Sequence, residues 1–196
     1  MSKIEIINRA LLKLGEAPIS SLNEAAFGSS YEMIYQDVKK LLLSAYPWRF
    51  ATTVKRLSRQ DKMYGKRYVY PLPVDCLLLL KAGINLADVT GERLACPLDG
   101  YEIVEGGLVT DTPNGIVVEY VKAMDNDEAF PPLFREALAA KLAAEFSMRL
   151  KHALNFKQVF DNEFYNLICQ AQLNNEIVKS AESLDDNSWI KVRKCW

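Results

Sequence analysis

The 196-residue chain holds a single histidine, His152. No cysteine or carboxylate stands beside it at ligand spacing, so neither a zinc centre nor a histidine acid–base pair finds support. It reads as a surface or loop residue between two helices. Also missing are the Gly-x-Ser-x-Gly elbow of a serine nucleophile and the Gly-x-x-x-x-Gly-Lys loop that cradles phosphate. A Ser-His-Asp triad assembled only in space leaves no linear trace, and nothing here argues for one. Asp125, Asp127 and Glu136 take the first, third and twelfth places of a calcium loop. Phe130 fills the sixth, where glycine is required, and Pro131 follows, which excludes the loop. The acids from Asp125 to Glu128 instead suit the positive N-terminal end of a following helix. No catalytic residue, metal or cofactor is expected.

A basic excess is lacking as well. Lys and Arg number 24 against 25 Asp and Glu, a formal charge of −1. Proteins that grip duplex phosphates carry a basic excess or stripe; neither stands out in the linear pattern, so only weak, salt-sensitive contact with DNA is expected. No apolar run approaches the ~18 residues of a membrane span. The longest, Cys76 to Leu80, is five residues. The opening Met1-Ser2-Lys3-Ile4-Glu5 lacks the apolar core of a signal peptide. Cys76, Cys96, Cys169 and Cys195 are widely spaced, with no Cys-x-x-Cys pair, and are expected to be reduced thiols of a protein made in a cytoplasm.

What is present begins with Tyr46-Pro47-Trp48-Arg49-Phe50-Ala51. Before it, Tyr31, Ile34, Val38, Leu41, Leu42 and Ala45 recur with helical period; after it, residues alternate as in a strand. Pro47 stops the helix, and Trp48 and Phe50 are expected as buried structural anchors there. The first helix spans Ser2 to Leu14, closed by Gly15 as a left-handed cap with Pro18 beyond. The second starts after Ser21 or at Gly28, since Ser21–Glu24 and Ser29–Glu32 both have capping-box spacing, and it ends near Tyr46.

Strands are expected at Phe50–Leu57, Tyr68–Tyr70, Cys76–Lys81, Tyr101–Glu105, Leu108–Thr110 and Ile116–Val121. Gly106-Gly107 would be a two-residue hairpin connection, and Pro71 and Pro73 would mark an edge or crossing piece. The third helix runs from Pro132 to about Leu150 with a flat face of Ala137, Ala140 and Ala144 that invites close helix approach. The fourth, Asn155 to about Ser180, carries a stripe of Phe156, Phe160, Phe164, Leu167, Ala171 and Val178. Residues 182–196 lose periodicity. The fold class is therefore α+β: a bundle of about four helices (2–46 and 132–180), an inserted, mostly antiparallel sheet (50–121), and an extended C-terminal tail after one domain of residues 1–181.

This order of elements resembles the head-to-tail adaptor proteins of short-tailed phages, the tail tubular protein A family of T7-like phages. The resemblance rests on Leu14-Gly15-Glu16, Pro18-Ile19, Pro47-Trp48-Arg49-Phe50-Ala51, Leu72-Pro73-Val74-Asp75-Cys76 and the alanine-rich helix from Ala137 to Glu145. It implies a structural virion protein at the head–tail junction, forming a ring, expected to be dodecameric, between portal protein and tail nozzle protein, with DNA passing through. The basic, tryptophan-ended tail has no clear counterpart in the family. The other readings are a monomeric nucleic-acid-binding module and a small enzyme with an uncanonical site.

A closed ring joins unlike faces of neighbouring subunits. One face is expected from the charged sides of helices two to four: Glu32, Asp37, Lys39 and Lys40, then Arg135, Glu136, Lys141, Glu145 and Arg149. Of these, Arg135 and Arg149 are the candidate interface cations. In the tail, Trp189, Ile190, Arg193 and Trp196 combine apolar and basic groups favoured at interface hot spots, and the segment is expected to dock on the portal or a neighbouring subunit.

Overall fold

A computed structural model describes residues 2–23, 28–61, 63–84, 96–113, 115–150 and 154–183. The protein is α+β, with four helices and two antiparallel sheets among these residues. The chain divides into two compact units: Met1–Phe50 with Met124–Ser180 forms a helical one, and the other contains Ala51–Ala123 with the eight strands. The β unit is thus inserted in sequence between the second and third helices.

The helical unit contains α1 (Lys3–Lys13), α2 (Gly28–Ser44), α3 (Pro132–Leu150) and α4 (Leu154–Ser183). Helix α1 starts with a reciprocal capping box. Ser2 Oγ accepts from the Glu5 N–H at 3.4 Å, and Glu5 Oε2 accepts from the Ser2 N–H at 2.7 Å. It ends in a Schellman motif: Glu16 N–H donates to Leu11 O and Gly15 N–H to Leu12 O, both at 3.0 Å. Gly15 has φ 74°, the left-handed conformation that glycine alone adopts without strain. Asn8 then pins the departing loop, accepting from the Ile19 N–H at 2.8 Å and donating to Ile19 O at 2.9 Å. The described part of α2 begins at Gly28, so Ser29 lies inside the helix, and Glu24 of the other anticipated box is outside the described residues.

Helix α3 is central to this unit. Ala137, Leu138, Ala139, Ala140, Leu142, Ala143, Ala144 and Phe146 are all fully buried. Such a run faces several directions on a helix with 3.6 residues per turn, so α3 is packed around much of its circumference. Its alanines leave little side-chain bulk, which lets neighbouring backbones approach closely; α1 and α2 both pack against it. Arg9 of α1 pairs with Glu136, and the Tyr31 ring of α2 lies 4.7 Å from Phe146. On α4, Phe160, Phe164, Ile168 and Ala171 are buried. Phe156, expected on that buried stripe, is 47% exposed, and Ile168 belongs to the buried face instead.

Trp48 is 1% exposed, and its ring centroid lies 5.1 Å from Phe134 and 5.7 Å from Phe50. Phe50 and Phe134 stand edge-on at 5.0 Å, as do Phe130 and Phe134. The indole Nε1–H donates to Leu42 O at 2.8 Å, satisfying one of the carbonyls that the end of α2 leaves unpaired.

In the β unit, one sheet has the order β1 (Thr52–Arg56), β8 (Ile116–Lys122), β4 (Cys76–Ile84), β5 (Cys96–Pro97). The other has β2 (Met63–Tyr64), β3 (Arg67–Pro71), β7 (Gly107–Thr110), β6 (Glu102–Val104). A shared core of Leu57, Tyr70, Leu108, Ile116, Val118 and Tyr120 joins strands of both sheets. Two sheets thus replace the single one expected, because alternation locates strands without naming their partners. The two-residue strands β2 and β5 add to the six expected, and Phe50 and Ala51, expected to open the first strand, lie in a 3₁₀ turn of residues 49–51.

The β6–β7 connection is displaced by one residue from the expected Gly106-Gly107. Val104 pairs with Gly107, so Glu105 (φ 50°) and Gly106 (φ 75°) make the turn. Two successive positive φ values are what a type I′ hairpin needs. Gly107 belongs to the strand, where an added Cβ would meet the Val69 side chain at 3.2 Å.

Trp48→Ala should destabilise the fold by about 3–5 kcal/mol, the usual cost of emptying a large buried aromatic site. A thermal melt followed by far-UV circular dichroism checks this; a melt matching wild type would show that the ring packing contributes little.

Candidate functional site

Three features of the helical unit bear on function: a buried polar cluster, an apolar groove and an uncharged outer ridge.

The polar cluster corrects one expectation. Lys39 does not sit on a charged outer face; its side chain is 8% exposed, as is that of Asp127. Lys39 Nζ donates to Asp127 Oδ1 at 3.1 Å and to Met124 O at 3.0 Å, and lies 5.4 Å from the Tyr35 ring centroid. Asp127 therefore neutralises a buried ammonium rather than serving only the dipole of α3. Burial first, and then the Asp127 charge, raise the Tyr35 phenol above the ordinary tyrosine range. The Tyr35 hydroxyl is buried near Asp127 but meets no group in strict hydrogen-bonding geometry among the described residues. The cluster ties α2 to the turn leading into α3, a structural role.

Several of the other charges named from the sequence are likewise used within the subunit, while Asp37 and Lys40 are exposed. Glu32 pairs with Lys3 and Glu136 with Arg9. Lys141 of α3 bridges Glu145 at 3.3 Å and Asp161 of α4 at 2.8 Å. Burial would lower the Lys141 pKa, but its hydrogen bonds to Asp161 and Glu145 prevail and raise it. Arg135 is half-buried, and its guanidinium has no acidic partner among the described residues. The Arg149 backbone lies in α3, while its side chain is outside the described residues, as are His152, Trp189, Ile190, Arg193 and Trp196.

The groove, about 470 Å³, is lined by Trp48, Phe50, Pro131, Pro132, Phe134 and Ala171, with Arg49, Asn174 and Asn175 among its polar residues. Asn175 Oδ1 accepts from the Arg49 N–H at 2.9 Å and its amide donates to Pro47 O at 3.4 Å, fixing the turn after α2 against α4. Phe50 is half-buried and forms part of the wall. Among the described residues no carboxylate, thiol or imidazole lines the cavity, whose walls are mainly apolar. Among the described residues no three His, Cys, Asp or Glu side chains converge as metal ligands would. No helix among them is long and apolar enough to cross a membrane.

The ridge runs along the outer side of α4. Tyr165, Cys169, Leu173 and Ile177 recur every four residues and are all exposed, Leu173 and Ile177 to 65%. Beside them Asn162, Asn166, Gln170 and Asn174 form a second exposed row with the same spacing. Residues four apart lie on one face of a helix, and no charged residue occurs from Phe164 to Asn175. An exposed helix face usually carries charge; one depleted of it, with tyrosine and aliphatic groups, has the composition of an interface centre. The signal was present in the sequence as twelve successive uncharged residues.

Asp127→Ala should cost about 3–5 kcal/mol by stranding the Lys39 ammonium, and the double substitution Lys39→Met with Asp127→Leu should recover most of that loss. Urea unfolding decides it. Alkaline pH provides a second check. Tyr35 and Lys141 both have raised pKa values, so their stabilisation is full below the ordinary values of about 10.0 and 10.5. It declines as pH rises beyond them, because the unfolded chain loses these protons first. Tyr35→Phe should flatten that decline without removing it. No protein-family model matches the chain, and no curated protein matches it in a sequence search.

Proposed function

We propose that the chain is a structural subunit of a phage virion, a head-to-tail adaptor that forms a ring between portal and tail nozzle and lets DNA pass. The α4 ridge carries this reading. A long helix that keeps an uncharged, partly apolar outer face suits a subunit that buries the face against another protein. The pairing of Glu32, Glu136, Lys141 and Glu145 within the subunit leaves Asp37, Lys40 and Arg135 of the named charges, with the uncharged surface, for contacts between subunits. The groove adds a second apolar surface without acid–base groups, which favours a binding role over a small enzyme.

In this reading α4 meets an unlike face of the neighbouring subunit, as closed heterologous rings require. Arg135 and Arg149 contribute charge at the boundary. The segment with Trp189, Ile190, Arg193 and Trp196 docks on the portal or an adjacent subunit, where burial of the tryptophans supplies the binding energy. The mature location is the head–tail junction of the virion.

Negative-stain imaging of the purified protein, alone and with a portal protein, should show rings at least when the portal is present; their absence in both samples would overturn the proposal. Leu173→Glu with Ile177→Glu should abolish rings while leaving the melting temperature within about 2 °C, since both sites are exposed. Charge reversal at Arg135 and Arg149 should weaken ring formation to a lesser degree. Deleting residues 188–196 should leave the melt unchanged and reduce portal binding; a large loss of stability would place that segment in the core instead.

A further inference from the structure

The near-neutral total charge conceals a local excess. Residues 55–67 hold six of the chain's 24 Lys and Arg but only one of its 25 acids, Asp61. This segment leads out of β1 and forms the β2–β3 hairpin. Its path is held by apolar and backbone contacts: Leu57 is buried in the core of the β unit, Leu57 N–H donates to Ile116 O at 2.9 Å, and Gln60 N–H donates to Val69 O at 2.9 Å. Met63 pairs with Tyr68 and Tyr64 with Arg67. Gly65, with φ 64°, takes the first central place of the hairpin turn, where a type II′ geometry needs a positive φ. The result is a short hairpin at the β2 edge of the four-stranded sheet, with Ser58–Asp61 and Met63–Lys66, as far as described, all exposed.

The basic side chains of the segment fall into two groups. Arg67 is consumed internally, with Glu102 at 3.1 Å, Asp111 at 3.5 Å and Gly100 O at 2.6 Å. Lys55, Arg56, Arg59 and Lys66 are exposed and have no carboxylate within ion-pair distance among the described residues. Arg59 is held over the Tyr68 ring at 5.0 Å, which orders its guanidinium without neutralising it. Acids near the segment include Asp61 within it, Glu105, which lines a small depression with Gln60 and Tyr64, and Glu102 and Asp111, which are taken up by Arg67. They leave the segment with a clear positive balance. Elsewhere in the subunit most cations with a described role are paired; here they are left open to solvent.

We infer that this hairpin is a docking surface for the phosphate backbone of duplex DNA. Lys66 at the hairpin turn and Arg59 just before β2, with Lys55 and Arg56 at the end of β1, offer four exposed cations without a carboxylate partner among the described residues, which suits a run of phosphates. The exposed Tyr64, 52% accessible at the turn, adds a hydroxyl donor. A lipid surface is less well matched, because only Met63 and Tyr64 offer apolar area at the tip and anchoring at a bilayer scales with such area. An acidic protein surface is less well matched as well, since the segment lacks the central apolar anchors of an interface hot spot. Contacts of this kind carry no sequence information and weaken steeply with salt, which suits DNA that must slide past. The inference deepens the adaptor reading by naming the surface that would meet the DNA, yet it concerns the isolated subunit and can fail separately.

The test measures binding of the full chain to a duplex of about 30 base pairs across a salt series, by fluorescence anisotropy, for wild type and for Arg56→Gln/Arg59→Gln/Lys66→Gln. Each lost phosphate contact lowers the slope of log affinity against log salt by about 0.9, so the triple variant should lose about 2.7. Lys40→Gln/Lys157→Gln, both on the helical unit, should leave the slope unchanged. If the triple variant folds poorly, Arg59→Gln and Lys66→Gln singly should each lose about 0.9. An unchanged slope, an equal fall in the helical control, or no wild-type binding at low salt would overturn the inference. So would polyglutamate or anionic vesicles bound as tightly as the duplex and through the same three residues, which would assign the hairpin to an acidic protein or a membrane. Rings on the portal with no hairpin-dependent DNA binding would sink this inference alone; hairpin-dependent binding without rings would sink the adaptor reading alone.

Discussion

The helical unit depends on one constraint: α3 must be buried around much of its circumference without leaving voids. A helix can be enclosed in this way only if its side chains are short where neighbours press closest and long where they leave space. Alanines at 137, 139, 140, 143 and 144 meet the first condition, and Leu138, Leu142 and Phe146 meet the second. Of the charged groups that α3 still carries, Glu136, Lys141 and Glu145 are paired within the subunit, while half-buried Arg135 has no acidic partner among the described residues. Any enlargement of an alanine would push a neighbouring helix outward. The rest of the unit is arranged to keep that fit.

The entry to α3 is secured by two different kinds of interaction. Aromatic rings at Trp48, Phe50, Phe130 and Phe134 fill the space where the chain leaves α2 and returns to α3. They are tolerant of small shifts, because ring contacts are broad in geometry. The Lys39–Asp127 pair is less tolerant: it must hold its hydrogen bonds to offset the cost of burying two charges. Its benefit is registry, since Lys39 can reach both Asp127 and Met124 O in only one placement of that turn. Stability and specificity are thus supplied by neighbouring but distinct groups.

Charge follows a pattern that totals hide. In the helical unit, acids and bases are largely matched to each other across helices, and the outer side of α4 dispenses with them. In the β unit, cations collect on the exposed stretch from the end of β1 to the β2–β3 turn, while Arg67 of that hairpin is matched to Glu102 and Asp111. A formal charge of −1 describes neither surface. Long-range electrostatics depend on where charges are left unpaired, and pairing is a property of the folded chain.

The sequence by itself determined the elements whose causes are local. Gly15 had to close α1 because the reversal there needs a positive φ, Pro132 could begin α3 because the first turn needs no N–H from it, and periodicity located α3 and α4 to within a few residues. Only the tertiary structure decided what depends on partners distant in the chain. It split the strands into two sheets, since alternation identifies a buried face but not the strand beside it. It turned Lys39 from an expected surface charge into a buried one, since Asp127 stands 88 residues away. It left the uncharged row of α4 outside and brought Ile168 inside, because the side of a helix that is covered is chosen by what packs against it.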